Sequence, residues 1–379
     1  MPVPIYLDYA AATPVRPEVA AAMAPFAVNQ FYNPSSVYLA ARSVRAALEA
    51  ARSDCAQVLG AKPGEITFTA GSTESINMAL AGVLKSYPKG RVLLAAGEHT
   101  AVVRAAEGFA PGRVDYVPLS ANGRAEAAAI KAALKAETVV VSVAYANSET
   151  GAVAPLARLA REVAAIRRQR SSTGRPLLLH SDASAAASLP LKVSRLGVDL
   201  LTLSGSKIYG PKGSGLLYVR SGLKLAPLIH GGGQEGGRRG GTENVGAIVG
   251  LATALKLIQE EAAWENQRLS VLRDRLEQKL LAVAGVSGLN LKQRLPSLLT
   301  LLTPVSDGER LVMELDEAGL QAGTGAACSA NFEEPSRALL ALGLSAVDAN
   351  RSLRLSLGRG TTQSQIDRAG RIIATVLQK

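Results

Sequence analysis

The sequence predicts an α/β protein: a large unit on a mostly parallel sheet, followed by a smaller α+β unit. Three observations point there. β-prone apolar runs such as "VVVSVAY" alternate with good helix formers such as "LAARSVRAALEAARS". Strand and helix signals alternate rather than segregate, the pattern of strands joined by crossover helices. Hydrophobic residues make up 47% of the chain but aromatics only 4%, so the core must be mostly Ala, Leu and Val, as suits helices layered on a sheet. The 379 residues amount to about two ordinary domains.

The elements follow in order. An extended start, "IYLDYAAATP", leads past prolines into helical stretches as far as residue 58. A strand is expected at 65–70, then a helix in "GSTESINMALAGVL", with Ser72, Thr73 and Glu74 at its start. Strands at 91–96, 114–118, 138–144, 176–181 and 200–204 interleave with helices at 101–108, 124–136 and 155–170. "GPKGSGLLYV" adds a turn and a strand. The glycine-rich "GGGQEGGRRGGTEN" precedes a long helical region at 245–282, and shorter signals continue to the end.

No stretch reaches transmembrane length and no secretory leader opens the chain, so a cytoplasmic protein with no membrane partner is expected. Two cysteines, Cys55 and Cys328, and three histidines form no disulfide framework or zinc motif, and no metal is expected. The net charge of +11 suits an encounter with tRNA or an acidic partner. Its densest run, Arg158 to Arg175 with Arg161, Arg167, Arg168 and Arg170, lacks a nucleic-acid motif and stacking aromatics. A solvated helix face and a docking surface both fit it, and direct nucleic-acid binding stays open.

Polar residues gather where strands should end: Ser72 and Thr73, His99, Asn147, Asp182, then Ser204, Ser206 and Lys207. In an open α/β sheet such ends converge on the ligand crevice. "TAGSTESIN" suits an anion cup. Gly71 permits close backbone approach, Thr73 offers a hydroxyl, and free N–H groups from Ser72 onward favour phosphate, although Ser and Thr are also ordinary N-caps. Lys207, in "LTLSGSKIYGPKG", is the candidate imine-forming amine. Asp182, in "LLLHSDAS", can hold a proton on a pyridine nitrogen, a recurring requirement of pyridoxal 5'-phosphate (PLP) chemistry. Each alone also reads as a surface lysine or a strand-end carboxylate; the combination points to PLP. Arg354 suits a carboxylate clamp or a structural ion pair. Cys328, among the small residues of "GLQAGTGAACSANFEEP", reads as a buried small hydrophobe or as a residue on a loop able to move. Cys55 reads as structural.

The segments "YLDYAAATPVRPEV", "NPSS", "TFTAGSTESIN", "GEHTAV", "ANSETG", "HSDAS", "SGSKIYGPKG", "GGGQEGGRRGGTEN", "ACSANFEEPS" and "SLRLSLGR" stand in this order. In them the chain resembles a class V aminotransferase-family cysteine desulfurase of the NifS/IscS-like group over nearly its full length. The resemblance implies a fold-type-I PLP-dependent transferase with a seven-stranded, mostly parallel sheet. It divides the chain into an arm, 1–14, returning to the small domain, a large domain, 15–250, and a small domain, 251–379, carrying the Cys328 loop. Lys207 would carry PLP and move the substrate α-proton, Asp182 would face the ring nitrogen, and His99 would stack on the ring and help in acid/base catalysis. Gly71, Ser72, Thr73 and Ser204 would hold the phosphate, joined by Thr242 from the other subunit of a homodimer. Asn147, beside the cofactor, and Arg354 would hold the substrate carboxylate. Cys328 would take sulfur from L-cysteine as a persulfide, leaving L-alanine. The sulfur would pass to an acceptor such as an iron–sulfur scaffold or a tRNA-thiolation protein.

Several positions depart from that pattern. Ala185 stands where relatives carry glutamine, Ser206 and Tyr38 where they carry histidine, and Ser148 where they carry asparagine; Gly236 and Gly240 replace arginine and serine. A selenocysteine lyase, another PLP-dependent lyase or aminotransferase, and a non-catalytic sulfur-transfer scaffold are the alternatives.

Overall fold

The computed structural model describes residues 3–170, 175–325 and 335–378. Ahead of the main sheet lie β1 (Ile5–Tyr6), α1 (Pro17–Met23), α2 (Pro25–Val28) and α3 (Leu39–Leu59). Both short helices begin on proline, whose missing N–H is an orphan there anyway. The alternation then runs β2 (Ile66–Thr69), α4 (Ser72–Ser86), β3 (Arg91–Ala95), α5 (Thr100–Phe109), β4 (Val114–Val117), α6 (Ala127–Ala133), β5 (Thr138–Ser142) and α7 (Leu156–Gln169). It continues with β6 (Leu178–Asp182), α8 (Val193–Leu196), β7 (Leu200–Ser204) and β8 (Gly215–Val219).

Among the described residues, seven strands form the main sheet in the order β2-β8-β7-β6-β5-β3-β4. β8 is antiparallel to both neighbours, and the other neighbouring pairs are parallel. Helices cover both faces, which is why β5, β7 and β8 are buried along their whole length and mostly apolar. On one face Leu48 and Leu59 of α3 and Leu159 and Val163 of α7 pack with Leu201 and Leu203 of β7. On the other, Ile76 and Leu80 of α4 and Val102 of α5 pack with Val92, Val140 and Leu200.

Helix α9 (Val245–Leu281) joins this body to a second core. Its Leu251 and Leu255 belong to the first core, and its Leu269, Leu272, Leu276 and Leu280 to the second. The expected limit at residue 251 therefore falls inside one continuous helix. The second core is built on an antiparallel sheet of β9 (Ser287–Gly288), β10 (Leu298–Leu302) and β12 (Ser352–Ser356). Around it stand α10 (Gly308–Glu317), β11 (Leu320–Gln321), α11 (Arg337–Ala341), α12 (Ala346–Asn350) and α13 (Gln363–Leu377). β1 pairs in parallel with β11, and Ile5 and Leu7 are buried in this core, so the start of the chain packs with its last third. No described helix is long and apolar enough to cross a membrane, and no described cluster of side chains is suited to a metal.

Candidate active site

The site begins where β7 stops. After Ser204 the backbone makes one tight turn, Gly205–Lys207, in which a Cβ on Gly205 would come within 2.1 Å of Ser214 Oγ. The turn delivers Lys207, half-buried, with Nζ donating to the Ala10 and Ala11 carbonyls at 2.7 and 2.6 Å. The start of the chain is pinned across this turn. Thr13 N–H donates to Ser206 O at 3.0 Å, and Tyr209 N–H to Thr13 Oγ1 at 2.7 Å.

Beside it lies the junction of β2 and α4. Gly71 has φ of 149°, favoured by glycine, and no atom within 4 Å of where its Cβ would be. No side chain caps the start of α4, and the first N–H groups of a helix, here from Ser72 and Thr73, have no intrahelical carbonyl to bond and suit an anion. Gly215 permits the approach of this junction, because its Cβ would sit 2.7 Å from the Gly71 backbone. Ser204 and Ser206 place their hydroxyls 3.0 Å apart at the end of the neighbouring strand.

Asp182 closes β6, and its Oδ1 accepts from Ser184 N–H at 2.9 Å. His99 caps α5, its Nδ1 accepting from Ala101 N–H at 3.1 Å. Asn147 ties two loops together: Nδ2 donates to Gly97 O at 2.8 Å, and Oδ1 accepts from the N–H groups of Glu149 and Thr150 at 2.9 and 2.7 Å. Arg354, on β12 and only 2% exposed, donates to Asp8 Oδ1 at 2.8 Å and reaches Ser148 O at 3.5 Å. Its guanidinium already faces a carboxylate, and its Nε has no partner among the described residues. Strand pairing sets the ends of β6 and β7, and so Asp182, Ser204 and Lys207, side by side, with the Gly71 junction against Gly215 of β8. Asn147 is tied to the His99 loop through Gly97 O, and Arg354 reaches the neighbouring Ser148 O.

Other residues fall elsewhere. Thr242 is exposed and lines a separate hollow with Phe31, Tyr32 and Pro34. Cys328 lies outside the described residues. Cys55 is fully buried, and burial pushes its thiol up to about 12. In the basic run, Arg167 is spent on Leu177 O and Asp199, and Arg170 on the Thr138 and Lys135 carbonyls, while Arg158, Arg161 and Arg168 are exposed.

Asp8, Glu98, Ser142, His180 and the Ala10 and Ala11 carbonyls join these residues without a sequence pattern of their own. Glu98 stands next to His99 and His180 two residues before Asp182, and that adjacency is the one signal the sequence offers for them. Glu98 is 3% exposed; burial, then the charge of Asp182, pushes it up to about 8. His180 is fully buried, and burial pushes it down to about 4.

Residues 5–369 match the aminotransferase class-V family model. A protein of Dictyoglomus turgidum named cysteine desulfurase IscS is 37% identical, the match covering 99% of this chain and 95% of that one. Cysteine desulfurase IscS 1 of Archaeoglobus fulgidus is 38% identical, covering 99% and 97%. Among solved structures, a NifS-like protein superposes with a TM-score of 0.91 at 30% identity, over 99% of this chain and 100% of the other. A protein solved as "SspA in complex with cysteine" gives 0.80 at 31%, over 93% and 98%.

Proposed function

The chain belongs to the aminotransferase class-V family, and from that premise and its desulfurase relatives we infer a PLP-dependent cysteine desulfurase converting L-cysteine to L-alanine. The observation that carries the reading is local. Adjacent, paired strands β6 and β7 end at Asp182 and just before Lys207, and the start of α4 carries no side-chain cap, which supports the reading.

The residues fit PLP. Gly71, Ser72, Thr73 and Ser204 would take the phosphate, Asp182 the ring nitrogen, His99 the ring face and Lys207 the aldehyde carbon. When bound, PLP supplies an electron sink for charge leaving the substrate Cα. The remaining work falls to the chain. Lys207, held by the Ala10 and Ala11 carbonyls, moves the proton at Cα. Arg354 and Asn147 orient the substrate carboxylate, with Arg354 exchanging Asp8 for it. Cys328, as a thiolate, bonds to the substrate sulfur as the Cβ–S bond breaks, and keeps that sulfur as a persulfide.

The cysteine bound by the SspA structure supports L-cysteine as substrate. A homodimer accounts for Thr242: Val28, Phe31, Val37 and Leu39 are exposed apolar side chains near its hollow, and a second copy would cover them while receiving Thr242 at its phosphate site. The division into arm, large domain and small domain at 14 and 250 belongs to the same reading, as does a cytosolic location, where both cysteines stay reduced. An iron–sulfur scaffold or a tRNA-thiolation protein is the proposed sulfur acceptor, with Arg158, Arg161 and Arg168 as its docking face.

Purified holoenzyme given L-cysteine without reductant tests this. Alanine should form and a persulfide should map to Cys328. Lys207→Ala should lose both the lysine-bound cofactor absorption band and turnover, and Cys328→Ser the persulfide. A keto acid in place of alanine, or a persulfide that survives Cys328→Ser, overturns the assignment.

A further inference from the structure

A buried polar chain crosses the sheet next to Asp182. Ser142 ends β5, His180 sits opposite it in β6, and Thr202 lies in β7 opposite Asp182. Ser142 Oγ is 3.1 Å from Glu98 Oε1 and 2.9 Å from His180 Nδ1, and His180 Nε2 is 3.1 Å from Thr202 Oγ1. Ser142, His180 and Thr202 have no exposed surface. Three polar side chains inside an apolar sheet, and Glu98 buried just beyond the end of β3, are costly unless each is hydrogen-bonded, so their bonds form one linked set.

We propose that Glu98 is a positioning residue for the reaction: its carboxyl proton sets the direction of every hydrogen bond from Glu98 through Ser142 and His180 to Thr202, and with it which ring nitrogen of His180 is protonated next to Asp182. The inference rests on the reading that Asp182 faces the cofactor ring.

The direction follows from counting donors. An ionised Glu98 only accepts. Ser142 O–H must then donate to it, His180 Nδ1–H to Ser142, and Thr202 O–H to His180 Nε2. A protonated Glu98 needs an acceptor. Its Oε2 has no hydrogen-bond partner by geometry among the described residues, and the Ala144 backbone N–H that acts on the carboxyl is itself a donor, so the acceptor at hand is Ser142, through Oε1. Glu98 O–H then donates to Ser142, Ser142 O–H to His180 Nδ1, and His180 Nε2–H to Thr202. The two arrangements differ by the one proton Glu98 releases to solvent.

The charges acting on Glu98 are that of Asp182 on β6, which opposes its ionisation, and that of its neighbour His99, which favours it; His180 is connected through Ser142. With Glu98 protonated, the charge of Asp182 stands uncontested for one ring proton. With Glu98 ionised, a second negative charge lies close to it and the imidazole dipole reverses. Glu98 thereby acts on the cofactor through other residues and touches no substrate.

The test reads His180 directly. With three histidines in the chain, imidazole 15N signals of the holoenzyme can be assigned by substitution. His180 should remain neutral and pass from Nε2–H to Nδ1–H with a midpoint near pH 8, the value to which Glu98 is pushed. Glu98→Gln should hold one tautomer throughout and remove any alkaline limb from the cofactor absorption band and from kcat. Ser142→Ala, which keeps Glu98 but cuts the link, should also abolish the tautomer change. A wild-type His180 with one tautomer across this range, or the same exchange in Ser142→Ala, overturns the proposal. Failure of the underlying reading looks different: Asp182→Asn would then leave the cofactor band unchanged whatever His180 does.

Discussion

Glu98 and His180 oppose one another in their effect on stability. Glu98 ordinarily loses its proton near 4.5, but in the fold it keeps it to about 8, chiefly because of burial and then Asp182. Between those values the folded chain holds a proton that the unfolded chain has released, so stability falls as pH rises through the window. His180 runs the other way. Its ordinary 6.5 is lowered to about 4 by burial, so the unfolded chain takes up a proton first, and stability rises from about 4 to 6.5. Glu98→Gln removes the first contribution. The stability of the variant relative to wild type should grow by about 4 kcal/mol between roughly pH 5 and 8, measured by denaturant unfolding at each pH. A gap that does not change with pH would mean that Glu98 is ionised in the fold.

At the scale of elements, the proposed phosphate cup depends on how closely β8 approaches the start of α4. The Gly71 backbone lies 2.7 Å from the position of a Cβ on Gly215, and both contacts are to main-chain atoms. Main chain gives way less easily than a flexible side-chain end. Gly215→Ala should therefore displace the junction rather than a rotamer, costing about 1–3 kcal/mol of stability. PLP should dissociate faster while Lys207 remains in place. Equilibrium dialysis of PLP, paired with thermal unfolding, checks this, and unchanged retention would mean that the junction does not contact the phosphate. The strand was legible as "GSGLLYV", but the need for glycine at its first residue was not, because Gly71 stands 144 positions earlier in the sequence.

At the scale of the whole molecule, apolar side chains between residues 28 and 39 are left to solvent. Val28 is 73% exposed, Phe31 68%, Val37 81% and Leu39 80%, beside the hollow that Thr242 lines. Sedimentation should give a dimer, and Phe31→Glu a folded monomer. If Thr242 serves the opposite phosphate, the monomer should also hold PLP more weakly. The loss of one hydrogen bond to a charged group is about 1.5–3 kcal/mol, or ~10–150-fold in affinity. A monomeric variant with undiminished PLP affinity would separate assembly from cofactor binding.

The sequence alone determined the alternation of strands and helices, because hydrophobic period and chain-local propensity are short-range properties. β7 at 200–204 and the long helix from 245 were placed from such signals. It also located the strand-end residues Lys207, Asp182 and Ser204, since a polar residue closing an apolar run is visible locally. Only the tertiary structure decided what those residues touch. Lys207 meets Ala10 and Ala11, and Arg354 meets Asp8 across 346 positions, because parallel pairing and the returning first strand join segments with no local signal. Glu98 and His180 show the same limit: beside His99 and Asp182 they looked like neighbours in a motif. Strand pairing across the sheet made them one hydrogen-bonded chain, and burial, a property of the assembled core, decided which of them keeps its proton.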